Sequence, residues 1–471
     1  MVRPPLPIVA TGSANLASVR AAAERLGYDP IVTDDAGLVR SAPRLILPGV
    51  GAFGAAIGEL HSRGLIEPLR QRLREGLPTL CICLGMQLLC ESSDESPGVP
   101  GLGIVPDRIT RFGDSPAVRV PQLSWNRVTP RDTGMFVEAG WAYYANSYRL
   151  ARPPAGWTVA MTDYAGPFVG AMQRGGVLAC QFHPELSGPW GAGLIERWLH
   201  QKPAATVSCS SVPDRATKPP PRIIPCLDID AGRVVKGIRF ANLRDMGDPA
   251  TLAAMYEKQG ADELVLLDVS ATLEARRTQV RTVEAVRRAI AIPLTVGGGI
   301  RTSDDAKALL DAGADKVSVN SAAVCDPALL TALAARFGRQ CVVVAIDAGR
   351  HPSHPGDHWS VIVRSGTDRT PLDAVSWARE AAERGAGEIL LTSHDRDGTR
   401  NGYDLALLRA VSSSVNIPVI ASGGAHTPEH LVEALGAGAS AVLAASIFHE
   451  SDYTVAQLKS CLARNGVEVR A

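Results

Sequence analysis

The chain repeats itself at one fixed offset. Residues 292 to 300, IPLTVGGGI, align with residues 417 to 425, IPVIASGGA, at a shift of 125. The same shift lays Glu263-Leu-Val-Leu-Leu on Glu388-Ile-Leu-Leu and Gly313-Ala314 on Gly438-Ala439. Short apolar runs of strand type alternate with helical patterns throughout this region, so each copy reads as a (βα)4 unit. Two such copies close an eight-stranded (βα)8 barrel, for which about 250 residues is the usual size. A chain of 471 residues therefore has room for a second domain.

The boundary is legible in composition. QKPAATVSCSSVPDRATKPPP, residues 201–221, is rich in Pro, Ser, Thr and Ala and has neither helical nor strand periodicity, which marks a linker between a domain at 1–200 and the barrel at 222–471. Before it, IVATG, a helical NLASVRAAAERLG, PIVTD, RLILPG, and PTLCICLG running into a helical MQLLCES alternate strand with helix, which predicts a parallel sheet covered by helices. From about residue 103 to 182 the pattern turns strand-rich.

Charge narrows the function. The 48 basic and 48 acidic residues cancel, so long-range attraction to nucleic acid or anionic membrane is absent and any phosphate must be caught locally. No apolar run reaches the roughly 18 residues of a membrane span, and the prolines in MVRPPLPIVATGS interrupt any secretory signal, so a cytoplasmic location is expected. Nine cysteines, odd in number and without a C-x-x-C pair, predict reduced thiols and no zinc site.

In a (βα)8 barrel the reacting groups stand at the C-terminal strand ends. Asp228 follows RIIPCL and Asp347 follows CVVVAI, at comparable places in the two halves. A carboxylate ending an apolar strand meets partial burial, which raises its proton affinity toward the range of acid-base work; a loop cap is the plainer alternative. Gly297-Gly298-Gly299 and Ser422-Gly423-Gly424 each join a strand to a helix, where bare backbone and helix N-terminal amides suit an anion. With Asn320-Ser321 and Ala445-Ser446 ending the next strand of each half, they predict two phosphate sites and a ligand phosphorylated at both ends. Arg222, Glu263, Lys316 and Glu388 each precede an apolar strand run, and either ring the barrel floor or sit in solvent.

RIIPCLDIDAGRVVKG, GDP, ADELVLLD, TVGGGIR, GADKVSVNSAAV, VVVAIDA, EILLTSHDRDGT and ASGG, in that order over residues 222 to 471, resemble the cyclase part of the imidazole glycerol phosphate synthase family. The resemblance implies that Asp228 and Asp347 are the acid-base pair. It adds Lys236, Asp397, Gly398 and Thr399 to the substrate-binding residues, and makes Arg222, Glu263, Lys316 and Glu388 a gate admitting ammonia.

The N-terminal domain supplies a source of that ammonia. In LCICLGM, Cys83 ends a strand and is followed by Leu84-Gly85 and a helical pattern, the strand-turn-helix setting of a nucleophile elbow, where the amide of the next residue can face an oxyanion. Cys81 lies before the turn. Gln181-Phe182-His183-Pro184-Glu185 offers a base and, two residues on, a carboxylate expected on the same strand face to orient it. About residues 6 to 200 resemble the class I glutamine amidotransferases, a flavodoxin-like α/β fold, and specifically the glutaminase part of the same family. The resemblance assigns Cys83, His183 and Glu185 to the catalytic triad, Gly51 and Leu84 to the oxyanion region within and beyond LPGVGAFG, and Gln87 to glutamine binding.

The chain departs from the family pattern at Cys81, where glycine is usual, and at Gln122 and Ser124, which replace His and Gly of P-H-x-G-W-N. Asn146 replaces His of His-Ser-Tyr, and Leu186 replaces a common lysine that would pair with Asp315; the first strand reads ATGSAN for DYGxGN. The implied function is glutamine hydrolysis coupled to conversion of the bis-phosphorylated ribulotide PRFAR into imidazole glycerol phosphate and AICAR, in histidine biosynthesis, without metal or organic cofactor. Both domains share one chain, so no separate subunit is required. A phosphoribosyl isomerase-like barrel and a non-catalytic glutamine-sensing N-terminal domain are the competing readings.

Overall fold

The computed structural model describes residues 3–12, 16–113, 118–204, 219–238, 241–269, 271, 280–351, 358–364, 366–449 and 453–470. Most of the expected linker, 205 to 218, lies outside them. The chain divides into two compact units, Met1–Val118 with Gln122–Pro219, and Arg119–Pro121 with Pro220–Ala471. Among the described residues no helix is long and apolar enough to cross a membrane.

The first unit is built on a nine-stranded sheet. Its parallel part runs Asp29–Thr33, Pro5–Val9, Leu45–Leu47, Thr79–Ile82, Val177–Cys180. The sheet then continues antiparallel through Pro167–Arg174, Thr158–Asp163, Gln122–Pro130 and Gly140–Asn146. The central strands Leu45–Leu47 and Thr79–Ile82 are buried at every position, because helices such as Phe53–Ser62 and Gly188–Leu199 cover a parallel sheet on both faces. One expectation fails here. The helix foreseen through MQLLCES is a single turn, Leu84–Gln87, after which Cys90–Ser93 is a strand paired with Val105–Arg111.

The second unit is a closed ring of eight parallel strands: Arg222–Asp230, Leu264–Asp268, Leu294–Gly297, Lys316–Val319, Val342–Arg350, Glu388–Ser393, Val419–Ser422 and Ala441–Ala444. Pairing of the first with the last closes it, a TIM barrel. Side chains two apart on a strand share a face, so Ile224, Cys226, Val265, Val343, Leu390, Ile420, Ala441 and Leu443 meet inside as a packed core. Arg222 and Asp228 share that inward parity with Ile224 and Cys226. One strand thus carries a charge at the floor and a carboxylate at the mouth.

The first and fifth strands each run on into an antiparallel hairpin, Arg233–Ile238 with Ala241–Gly247 and Trp359–Val363 with Asp368–Asp373. Asp228 and Asp347 both stand where parallel barrel pairing gives way to hairpin pairing, opposite Val235 and Ile362. They are equivalent in the fold although they are 119 residues apart instead of 125; the connections between strands differ in length, so the repeat offset alone does not superimpose them.

Candidate functional site

The first unit gathers its candidate residues at one end of the sheet. Thr79–Ile82 and Val177–Cys180 are adjacent and parallel, with Ile82 beside Cys180, so the residues that leave their carboxyl ends emerge together. Cys83 leaves the first of these strands at φ 50, ψ −106, a strained conformation for a residue with a Cβ. His183 leaves the second, its backbone N–H bonded to the Tyr143 carbonyl at 2.9 Å. His183 and Glu185 do not lie on a strand face as the sequence suggested: the strand ends at Cys180, and Pro184–Leu186 form one 3-10 turn that folds the carboxylate back onto the ring. Nδ1 of His183 is 2.8 Å from Oε1 of Glu185, and the ring is also hydrogen-bonded to Cys83.

These groups are nearly sealed from solvent, with Cys83 7%, His183 4% and Glu185 4% exposed. Burial opposes a charged imidazole. The Cys83 sulfur and the Glu185 carboxylate outweigh it and raise the His183 pKa well above its ordinary value, which favours the protonated imidazole. Cys81 has the opposite fate. It is fully buried in the apolar core of the unit, and burial pushes its pKa far up, with Arg72 opposing weakly, so it remains a thiol.

The elbow is held by close backbone packing. A Cβ on Gly85 would lie 2.2 Å from the Leu47 carbonyl oxygen, and one on Gly49 would lie 2.5 Å from the Gly85 nitrogen. Gly85→Ala is therefore expected to displace Cys83 and reduce glutamate release at least about 100-fold, the scale of a 1 Å misplacement in an active site. Steady-state kinetics of the folded variant checks this. The Leu84 amide is donated to the Gly49 carbonyl at 3.3 Å, so the amide expected to meet an oxyanion is occupied. Gly51, at φ 105, sits in the same loop. Gln87 donates to the Gln181 side chain and to the Tyr148 carbonyl.

The departures from the family pattern have local explanations in part. Gln122 and Asn146 are directly opposed across two strands. The Gln122 amide is buried without a hydrogen-bond partner among the described residues, as is the Ser124 hydroxyl; no structural reason for these two residues emerges. Leu186 is buried, and Asp315 is engaged inside its own unit by Arg287 at 2.8 Å and by the Leu294 N–H at 2.9 Å.

The barrel mouth opens into a cavity of about 550 Å³ lined by Asp228, Asp347, Gly298, Gly299, Asn320, Ser321, Asp397, Gly398, Ser422, Gly423, Gly424 and Ala445. Of the other predicted residues, Thr399 is not in the lining; its hydroxyl closes a turn on the Arg396 carbonyl at 2.7 Å. Lys236 and Ser446 fall within described elements, but their side chains are outside the described residues. Asp347 accepts a hydrogen bond from Asn320 Nδ2 at 2.9 Å. Burial, reinforced by the Asp397 carboxylate and only partly offset by hydrogen bonds from Thr392 and Asn320, pushes its pKa up to about 7. Cys226 Sγ lies 3.6 Å from Asp228 Oδ1.

Backbone freedom is needed at the glycine loops. A Cβ on Gly298 (φ +100) would meet the Asp268 carbonyl oxygen at 2.2 Å, and one on Gly424 (φ +96) the Gly402 carbonyl oxygen at 2.3 Å. The helices that follow have side-chain caps that take some of the amides at their starts. Thr302 with Asp305 closes one in a capping box, and His430 Nδ1 takes the His426 and Thr427 amides of the other at 3.2 and 3.4 Å. The short turns Ser321–Cys325 and Ser446–His449 follow the strands next to these loops. Sequence reasoning missed Arg301, Arg400, Cys226 and Thr392 in the lining. Counting by twos back from Asp228 and on from Glu388 would have found Cys226 and Thr392; nothing in the sequence marks the two arginines.

At the other end of the barrel, Arg222, Glu263, Lys316 and Glu388 are at most 2% exposed. The solvent alternative is thereby excluded. Arg222 pairs with Glu263 at 2.6 Å and with Glu388; Lys316 pairs with Glu263 and with Glu388, each at 2.6 Å. Burial alone would raise the Glu263 pKa, but Lys316 and Arg222 together hold it below the ordinary value. Removing one member leaves a buried charge uncompensated. Glu388→Ala is expected to destabilise the barrel by about 3 to 5 kcal/mol, read as a fall in the denaturant midpoint of its unfolding transition.

Comparison with known proteins finds relatives for both units. Residues 222–454 match the family model "Histidine biosynthesis protein", and residues 15–201 match "Glutamine amidotransferase class-I". The barrel half is similar to the imidazole glycerol phosphate synthase subunit HisF of Dehalococcoides mccartyi, at 59% identity over 250 residues, which is 53% of this chain and 97% of the relative. It is also similar to the subunit of that name from Exiguobacterium sibiricum, at 56% over 249 residues, 53% of this chain and 98% of the relative. With an amidotransferase unit and a cyclase-type barrel in one polypeptide, the chain belongs to the imidazole glycerol phosphate synthase family of histidine-biosynthesis enzymes.

Proposed function

We propose that the first unit hydrolyses glutamine and that the barrel uses the released ammonia to convert PRFAR into imidazole glycerol phosphate and AICAR. The observation that carries this reading is the Cys83, His183 and Glu185 contact chain, present in one molecule with a barrel cavity holding two strand-end carboxylates. Cys83 attacks the side-chain amide, His183 hands its proton to the departing ammonia, and water hydrolyses the thioester. Glu185 fixes the imidazole and keeps its second nitrogen toward the sulfur.

In the barrel, Asp347 holds a proton near neutral pH and serves as the acid, with Asp228 as the base. The Gly298-Gly299 and Gly423-Gly424 loops take one phosphate each, and Arg301 and Arg400 bring positive charge to the same cavity. The buried quartet of Arg222, Glu263, Lys316 and Glu388 is the gate; neutral ammonia passes it when an ion pair opens. Carrying both units on one chain raises the effective concentration of each for the other.

A second reading, a first unit that binds glutamine without hydrolysing it, draws on the Leu84 amide already held by Gly49. Measuring glutamate release with and without PRFAR separates the two. Release in either condition supports hydrolysis, and binding with no release in both supports the sensor.

A further inference from the structure

We infer that Gln181 is a working part of the thiolate site: a buried relay of carboxamides, anchored on the Tyr148 carbonyl, aims its N–H at the Cys83 sulfur. The inference rests on the reading of Cys83 as nucleophile and adds a residue to it.

The contacts run in one line. Asn146 Nδ2 and Gln87 Nε2 both donate to the Tyr148 carbonyl oxygen, at 3.0 and 3.2 Å. Gln87 Nε2 also donates to Gln181 Oε1 at 3.1 Å. Gln181 Nε2 then reaches Cys83 Sγ at 3.6 Å, within range of a hydrogen bond to sulfur.

The two ends of a carboxamide have the same shape, so its orientation has to be argued from its partners. A backbone carbonyl can only accept. Gln87 must therefore turn its NH2 toward Tyr148, and the second hydrogen of that NH2 points at Gln181. Gln181 must answer with its oxygen, which leaves its NH2 facing the sulfur. Asn146 takes the other lone pair of the Tyr148 carbonyl, so the anchor is saturated and has no reason to release Gln87. The Gln181 backbone is pinned as well, its N–H bonded to the Gly170 carbonyl at 2.8 Å.

Polarity gives the arrangement its consequence. An N–H facing sulfur stabilises the thiolate over the thiol, whereas a carbonyl there would do the reverse. Gln181 is 0%, Asn146 4% and Gln87 5% exposed, so water does not compete for these bonds. The sulfur is thus held between His183 and Gln181. The His183 contribution changes when the imidazole gives up its proton to the leaving group, but that of Gln181 does not. Its amide still faces the sulfur when the thiolate is expelled in deacylation. Gln87 and Asn146 act through Gln181 and are positioning residues in this respect. Asn146, one of the departures from the family pattern, thereby has a use at the far end of the relay.

The test reads the thiolate directly. The full chain is alkylated with iodoacetamide across a pH series, and carboxamidomethylation of Cys83 is followed by tandem mass spectrometry, whose fragment ions separate it from Cys81 and Cys90 on the same stretch and from the other six cysteines. In Gln181→Met the midpoint for Cys83 alkylation is expected to rise by about one to two pH units, the worth of one hydrogen bond to an anion. In Gln181→Glu it is expected to rise at least as far, because a carboxylate faces the thiolate. Gln87→Met, which keeps the backbone bond to the Cys83 carbonyl and removes only the side-chain bonds to Gln181 and Tyr148, is expected to raise it by a smaller amount by releasing the orientation of Gln181.

Coincidence of the Gln181→Met and wild-type midpoints overturns the inference even if turnover falls, since a purely structural residue would lower turnover and leave the midpoint in place. Should Gln181→Met fail to fold by circular dichroism, Gln87→Met decides in its place, and an unmoved midpoint there discards the relay. Glutamate release by the wild type separately tests the nucleophile reading. Its absence would remove that reading while the alkylation midpoints still judge the donor.

Discussion

Cys83→Ala is expected to abolish glutamine-dependent formation of imidazole glycerol phosphate while turnover supported by ammonium salt continues. The loss should reach about 10⁴-fold or more, because the thioester route disappears with its nucleophile and nothing else at the site can replace the sulfur. The surviving activity follows from location: Cys83 belongs to the first unit, whereas the carboxylates and glycine loops that would act on the ribulotide line a cavity of the second. Assaying product with each nitrogen source distinguishes the two cases. Equal loss of both would contradict the division of labour between the units. The alanine adds no strain of its own, since the positive φ at position 83 is already borne by a residue with a Cβ in the wild type.

The second large effect concerns Asp347 and Asp228. Changing either to Asn is expected to lower cyclisation by about 10² to 10⁴-fold with both nitrogen sources, the usual contribution of a positioned acid or base, while glutamate release in the first unit is retained. Asp347 carries a further signature. Its folded pKa of about 7 lies above the ordinary value of 3.8, so the folded state favours the protonated carboxyl. Stability from this preference is complete below the unfolded value and is lost as pH rises through the folded one. The loss spans about three pH units, on the order of 4 kcal/mol as an upper bound. Asp347→Asn removes the ionisation. The variant should therefore match the wild type near pH 4 and exceed it in barrel stability above pH 7, with the difference growing between those limits. A variant less stable than wild type at the alkaline end would show that the carboxylate is not held against its charge.

Much of this was open to reading before any coordinates. The shift of 125 implied the half-repeated barrel because strands and glycine loops that recur at one offset have few other ways to be arranged. The sequence also placed Asp228 and Asp347 where the apolar runs stop, although each strand continues past its aspartate, to Asp230 and to Arg350, as one arm of a hairpin. Other features depended on contacts between distant segments. The hairpins after the first and fifth strands are hidden in the sequence because register shifts within their pairing break the period-two alternation. The helix expected after Cys83 was cut to one turn, because its LLCES segment finds a partner strand at Val105–Arg111 that local propensity cannot foresee.

The sequence by itself determined the two-unit plan, the strand count of the barrel, and the identity of the thiol, imidazole and carboxylate that meet at the elbow, because apolar periodicity and residue chemistry are local properties. Only the tertiary structure decided the rest. It buried four floor charges as mutually paired ions, folded Glu185 back onto the His183 ring, and turned the Gln181 amide toward sulfur. Each of these outcomes depends on which partners lie within about 3 to 4 Å, the range over which hydrogen bonds and desolvation act, and that range is reached between residues far apart in the chain.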